Sequence, residues 1–191
     1  ILGWIRTGDG IHNAYVFFDF VDFLTFRFSG IIRYHLTSVL LTSPIPGPIP
    51  CQIAFAYAHA MHGAANAYGG KPEDAIQSID TAIKLSPRDT FLDKFHIYYC
   101  LAHFQAGNYE KACQAADRAL HLKPEHPNSH MLAASANALA GNMDRAKQSL
   151  AHFRRLVPGT NAANVQRAIA YENSADRERL ADGLRLAGLE G

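Results

Sequence analysis

The sequence predicts an all-α protein, a solenoid of antiparallel helix pairs followed by C-terminal capping helices. Three observations carry this expectation. Segments 71–87 (KPEDAIQSIDTAIKLSP), 108–124 (NYEKACQAADRALHLKP) and 142–158 (NMDRAKQSLAHFRRLVP) align without gaps. Ala75, Ala112 and Ala146 form one column and Pro87, Pro124 and Pro158 another, each spaced by 37 and then 34 residues. Gly70, Gly107 and Gly141 each stand immediately before one of these segments, where a first helix must end and a second begin.

The elements follow in order along the chain. Residues 1–50 form an aromatic-rich appendage that ends in a proline-rich linker. They hold six of the 35 charged side chains and nine of the 20 aromatic rings. Phe17, Phe20, Val21, Leu24, Phe28, Ile31 and Ile32 suit a helical face. Leu24, Phe26 and Phe28, alternating with polar residues, suit a strand equally well. Asp19, Asp22, Arg27 and Arg33 interrupt this stretch, so neither a membrane span nor a signal peptide is expected. The run Ser43-Pro44-Ile45-Pro46-Gly47-Pro48-Ile49-Pro50 cannot continue a helix or a sheet ladder.

Helical pattern begins at Cys51, and residues 51–158 accommodate three repeats. The small and alanine positions lie where two helices approach closely, so a large side chain there would separate them. The prolines stop each second helix. The first repeat is three residues longer, and the excess is expected in the Arg88-Asp89-Thr90 connection. In the tail, residues 159–191, two capping helices are expected. One runs from Asn161 to Tyr171 with Ala162, Val165, Ala168 and Ile169 on one face. The other runs from Ser174, as N-cap, to Ala187.

Set against the tetratricopeptide (TPR) pattern W-x2-L-G-x2-Y…A-x3-F…P, the first copy places His59, His62, Gly63, Asn66, Ala75, Ile79 and Pro87 in the slots. The second places His96, Tyr99, Cys100, His103, Ala112, Ala116 and Pro124, and the third His130, Ala133, Ala134, Asn137, Ala146, Leu150 and Pro158. The chain therefore resembles TPR proteins in its small, alanine and proline slots and departs from them in the Trp, Leu and Tyr slots. Over residues 72–191, SPRDTFLDKFHIYYCLAHFQAGNYEKA, LAASANALAGNMDRA and ENSADRERLADGLRLAGLEG also resemble the C-terminal TPR region of bacterial class III adenylate/guanylate cyclases. That resemblance implies a C-terminal piece of a bacterial signalling protein and transfers no catalysis. The chain opens on Ile1 and reads as a fragment.

Composition narrows the function. Lys and Arg total 18 against 17 Asp and Glu, a net charge of +1, which excludes a strongly basic nucleic-acid-binding domain. Three cysteines, Cys51, Cys100 and Cys113, argue against a disulfide framework or thiolate zinc site and for a reducing, cytoplasmic setting. FFDFVDF at 17–23 offers Asp19 as a metal carboxylate, yet no Asp or Glu occurs between Asp22 and Glu73 to complete a two-metal site. His59 and His62 lie at i and i+3, and His59, His96 and His130 recur in one slot, but no HExxH or zinc spacing accompanies them. The slot shared by His59, His96 and His130 is read as packing between the two helices of each repeat. No enzyme activity, metal or cofactor is expected.

The expected activity is protein binding. Helical spacing puts Tyr57 and Tyr68 of the first repeat on a concave groove. The second repeat adds Lys94, Ile97, Leu101, Phe104 and Gln105, and the third adds Asn128, Met131, Ser135 and Leu139. Lys94 is the one Lys or Arg on these helices, so a clamp for acidic C-termini is not expected, and an apolar or amphipathic segment is. The aromatic stretch 15–34 is a candidate for docking into the same groove from within the chain.

Overall fold

The computed structural model describes residues 51–190, which belong to the second of two units divided between Pro44 and Ile45. The appendage 1–50, with Asp19 and the docking of residues 15–34, lies outside the described residues. Eight helices follow one another: α1 (Cys51–Tyr68), α2 (Pro72–Leu85), α3 (Leu92–Gln105), α4 (Tyr109–Leu122), α5 (Pro127–Leu139), α6 (Met143–Leu156), α7 (Ala162–Ala168) and α8 (Ser174–Ala187). No strand occurs among the described residues. The main packing partners are α1 with α2, α3 with α4, and α5 with α6, and each pair stacks on the next through α2–α3 and α4–α5.

The columns seen in the sequence have a steric cause. Ala75, Ala112 and Ala146 are completely buried, as are Cys100 and Ala134 in the small slot of the facing helix. In the first pair that slot is Gly63, and a methyl group built on it would overlap Ile79 Cγ1 and lie 3.1 Å from Ala75 O. Each first helix ends in the same way. Gly70, Gly107 and Gly141 take φ of 72°, 75° and 83°, a left-handed conformation that disfavours a Cβ. The amide after each glycine then reaches back to the fourth TPR slot: Lys71 N to Asn66 O (2.9 Å), Asn108 N to His103 O (2.9 Å) and Asn142 N to Asn137 O (2.8 Å).

The second helices stop one residue before a cap that precedes Pro87, Pro124 and Pro158. The longer first repeat finds its room in the connection 86–91, where Asp89 Oδ1 accepts from Phe91 N at 2.9 Å. The tail differs from expectation in two details. α7 ends at Ala168, leaving Tyr171 outside any helix. The cap of α8 is Asn173, whose side chain accepts from Ala175 N, with Ser174 the first helical residue.

The direction of α8 is a further finding. It carries the first-helix slots itself, with Leu180, Ala181 and Leu184 buried. It also ends as the first helices do: Gly188 has φ of 108° and Leu189 N donates to Leu184 O at 2.9 Å. It does not stack as a fourth first helix would. Its N-terminal turn meets the C-terminal end of α3, where Gln105 lies 3.4 Å from Asp176. Its C-terminal end receives Arg154 Nη2 of α6 on Gly188 O at 2.7 Å. α8 therefore runs antiparallel to α5, its main partner. The intervening residues, 157–173 with α7 inside them, supply the reversal.

Candidate protein-interaction face

The first helices α1, α3 and α5 contribute one continuous set of residues, since α1 touches α3 and α3 touches α5. By exposure the expected site residues fall into two groups. Tyr57, Tyr68, Lys94 and Leu139 are half-buried, and Asn128 is exposed. Ile97, Leu101, Phe104, Gln105, Met131 and Ser135 are buried. Phe104 is turned into its own helix pair, its ring edge-on to Tyr109 of α4 at 5.6 Å. Lys94 Nζ donates to His126 Nε2 at 3.0 Å, and Tyr57 meets the ring of Phe91 at 5.6 Å.

What brings three of these residues together is the tail. Tyr68 packs against Tyr171 with ring centroids 5.9 Å apart, and its carbonyl accepts from Glu172 N at 3.0 Å. Gln105 Nε2 reaches Asp176 Oδ2, and Gln105 O accepts from Arg179 Nη1 at 3.2 Å. Ser135 Oγ donates to Leu180 O at 3.0 Å. One residue from each pair therefore contacts a single stretch, 171–180. Gly183 completes the fit, because a Cβ there would overlap Ser135 Oγ and lie 2.8 Å from Ser135 O. Asp176 is buried and paired with Arg179 at 3.4 Å. Tyr171 is fully buried, and that burial, reinforced by Tyr68, Cys100 and Asp176, drives its phenol well above the ordinary value and keeps it neutral.

Tyr171, Asp176, Leu180 and Gly183 were not among the residues expected at this face. The signal that could have found them is the recurrence of the first-helix slots in α8, with Gly188 at the turn position.

No known protein family matches the chain, and no curated protein is similar to it at a significant level. Among solved structures, the crystal structure of MamA, a TPR-like protein, superposes on 79% of this chain and 81% of its own, with a TM-score of 0.52 and 20% identity. The chain has a TPR-type fold. At this identity the likeness speaks for the fold and leaves the ligand to be argued from the face itself.

Of the three recurring histidines in this TPR-type array, His96 and His130 are buried, and His59 is half-buried. His130 stacks on His152 of α6 at 5.0 Å and donates from Nε2 to Pro124 O at 2.7 Å. His96 is buried, and that burial, with Arg118 near, lowers its basicity. Among the described residues no group of three or more His, Cys, Asp or Glu could hold a metal ion. No helix among them is long and apolar enough to cross a membrane.

Proposed function

We propose that this chain is a non-catalytic protein-interaction module, a scaffold whose first-helix face binds an apolar or amphipathic helical segment. The observation that supports this most directly is that the face already receives such a segment from its own chain, through Tyr68, Gln105 and Ser135. A surface that buries leucines, accepts a small residue closely and anchors one acidic group at its edge has the chemistry of helix-in-groove recognition. Tyr57, Lys94, Asn128 and Leu139 extend the face beyond the part that α8 covers. Ile97, Leu101 and Met131 form the apolar bed beneath it, while Phe104 serves the packing of its own helix pair. In the same reading, on the resemblance over residues 72–191, the module serves a bacterial signalling protein in the cytoplasm.

The test is fluorescence anisotropy with two labelled peptide sets, amphipathic helices and acidic C-terminal tails. Preference for the amphipathic set, weakened by Asn128→Asp and little affected by salt, is expected. Salt-sensitive binding of the acidic set that disappears with Lys94→Ala would refute the proposal.

A further inference from the structure

The contact between α8 and the first helices has the properties of a closed state. We propose that segment 171–187 is a displaceable internal ligand of the face. The partner that replaces it is an amphipathic helix of another protein with the same chemistry: an acidic first turn, a leucine stripe and a small residue opposite Ser135. This inference rests on the scaffold reading above.

Three features support displacement. First, polar atoms at the contact are incompletely satisfied. Tyr171 Oη and Gln105 Oε1 are buried without a hydrogen-bond partner. Opening the segment hands both to water, which lowers the cost of leaving the seat. Second, residues 169–173 between α7 and α8 are not helical, and their backbone tie to α1 is the bond from Glu172 N to Tyr68 O at 3.0 Å. Third, the polar anchors to α3, Asp176 with Gln105 Nε2 and Arg179 with Gln105 O, sit at the N-terminal end of α8, opposite the end that Arg154 holds through Gly188 O. A competing helix can engage that end first and progress along the leucine stripe.

Gly183 separates docking from helix formation. Alanine at 183 would strengthen the isolated helix, yet its methyl group would overlap Ser135 Oγ. The experiment uses the full chain, read by amide hydrogen exchange and by binding of a labelled synthetic peptide of residues 170–190. In the native chain, α8 amides should exchange at least tenfold faster than α5 amides. Gly183→Ala in the chain should speed α8 exchange at least tenfold further while α3 to α6 keep their rates. The same variant should bind the peptide at least tenfold more tightly than the unaltered chain does. A peptide itself carrying Gly183→Ala should bind worse despite being more helical. Should Gly183→Ala prevent folding, Asp176→Ala is read by the same measurements, since it removes an anchor without adding bulk. Protection of α8 equal to that of α5, or loss of protection shared by all helices, would overturn the proposal, as would equal peptide binding by both chains. A fully protected α8 leaves the scaffold reading standing. Failure of every amphipathic peptide to bind a chain whose α8 is open would remove that reading instead.

Discussion

Gly63 of α1 lies against Ile79 of α2 so closely that any side chain at 63 would occupy the space of Ile79 Cγ1. Ile79 is fully buried in the core, so it has nowhere to swing. Gly63→Ala should therefore destabilise the chain, since overpacking costs about 1–3 kcal/mol against about 1 kcal/mol returned by helix propensity. Ala112→Leu and Ala146→Leu, in the fully buried column of the second helices, should each lose about 1–3 kcal/mol without any such return. The urea midpoint should fall in all three, and an unaltered midpoint would show that the helix pairs are not in this register.

Gly107 provides the contrast. Nothing lies within 4 Å of a Cβ built there, but its φ is 75°. Gly107→Ala should lose about 1–2 kcal/mol from backbone conformation alone. Gly107→Asn should lose less, because asparagine tolerates that conformation better. Paired urea titrations of the two variants distinguish backbone strain from packing.

His103 contributes to the loss of stability in acid. Both its ring nitrogens are buried without a hydrogen-bond partner, and its ring stands edge-on to Tyr99 at 4.5 Å. Burial, then Lys111, lowers its pKa below the ordinary 6.5, with Asp80 opposing. The unfolded chain thus takes up this proton more readily than the folded one. Stability is fully present above the ordinary histidine value and falls as pH drops below it toward the lowered folded-state value. His96 and His130, also lowered chiefly by burial, act in the same direction. The thermal midpoint should be flat above neutrality and decline on acidification. His103→Leu should make that decline shallower.

The thiols of the second pair should be inert. Burial, with Asp117 beside it, pushes Cys113 up to about 11, and burial pushes the completely enclosed Cys100 further still. Little reactive thiolate exists at pH 8. Mass spectrometry after brief alkylation should find Cys100 and Cys113 unmodified in the folded chain and modified in urea. Rapid native labelling of either would contradict this burial.

The parts of the fold legible in the sequence are those fixed by local sterics. Small residues at helix crossings, glycines with positive φ and prolines after second helices recur because the same clash or torsion recurs in each pair. The role of α8 was not legible in that way. Its slots are those of a first helix, but its direction is decided by the reversal through residues 157–173 and by a fit between Gly183 and Ser135 far apart in the chain. The face suffered from the same blindness. Helical spacing tells which residues share a side, as for Leu101 and Ser135, but not what covers them. Phe104 turned instead toward Tyr109, a choice that depends on the shape of the neighbouring helix. Asn173 took the cap expected at Ser174 because both residue types can bind a free amide there, and spacing alone separates them by a single position.

An open array of helix pairs is linked only by neighbours, so its ends can fray and its unfolding can spread stepwise from one unit to the next. Here the tail touches Tyr68, Gln105 and Ser135, one residue in each unit. Those contacts close the series like a brace across its rungs. While the brace holds, melting of the first pair also costs it the contacts of Tyr68 with Tyr171 and Glu172, so the pairs are coupled through the tail as well as through their neighbours. Once it lifts, the units regain independence, and melting can begin at either end of the described series, at the pair of α1 and α2 or at the pair of α5 and α6.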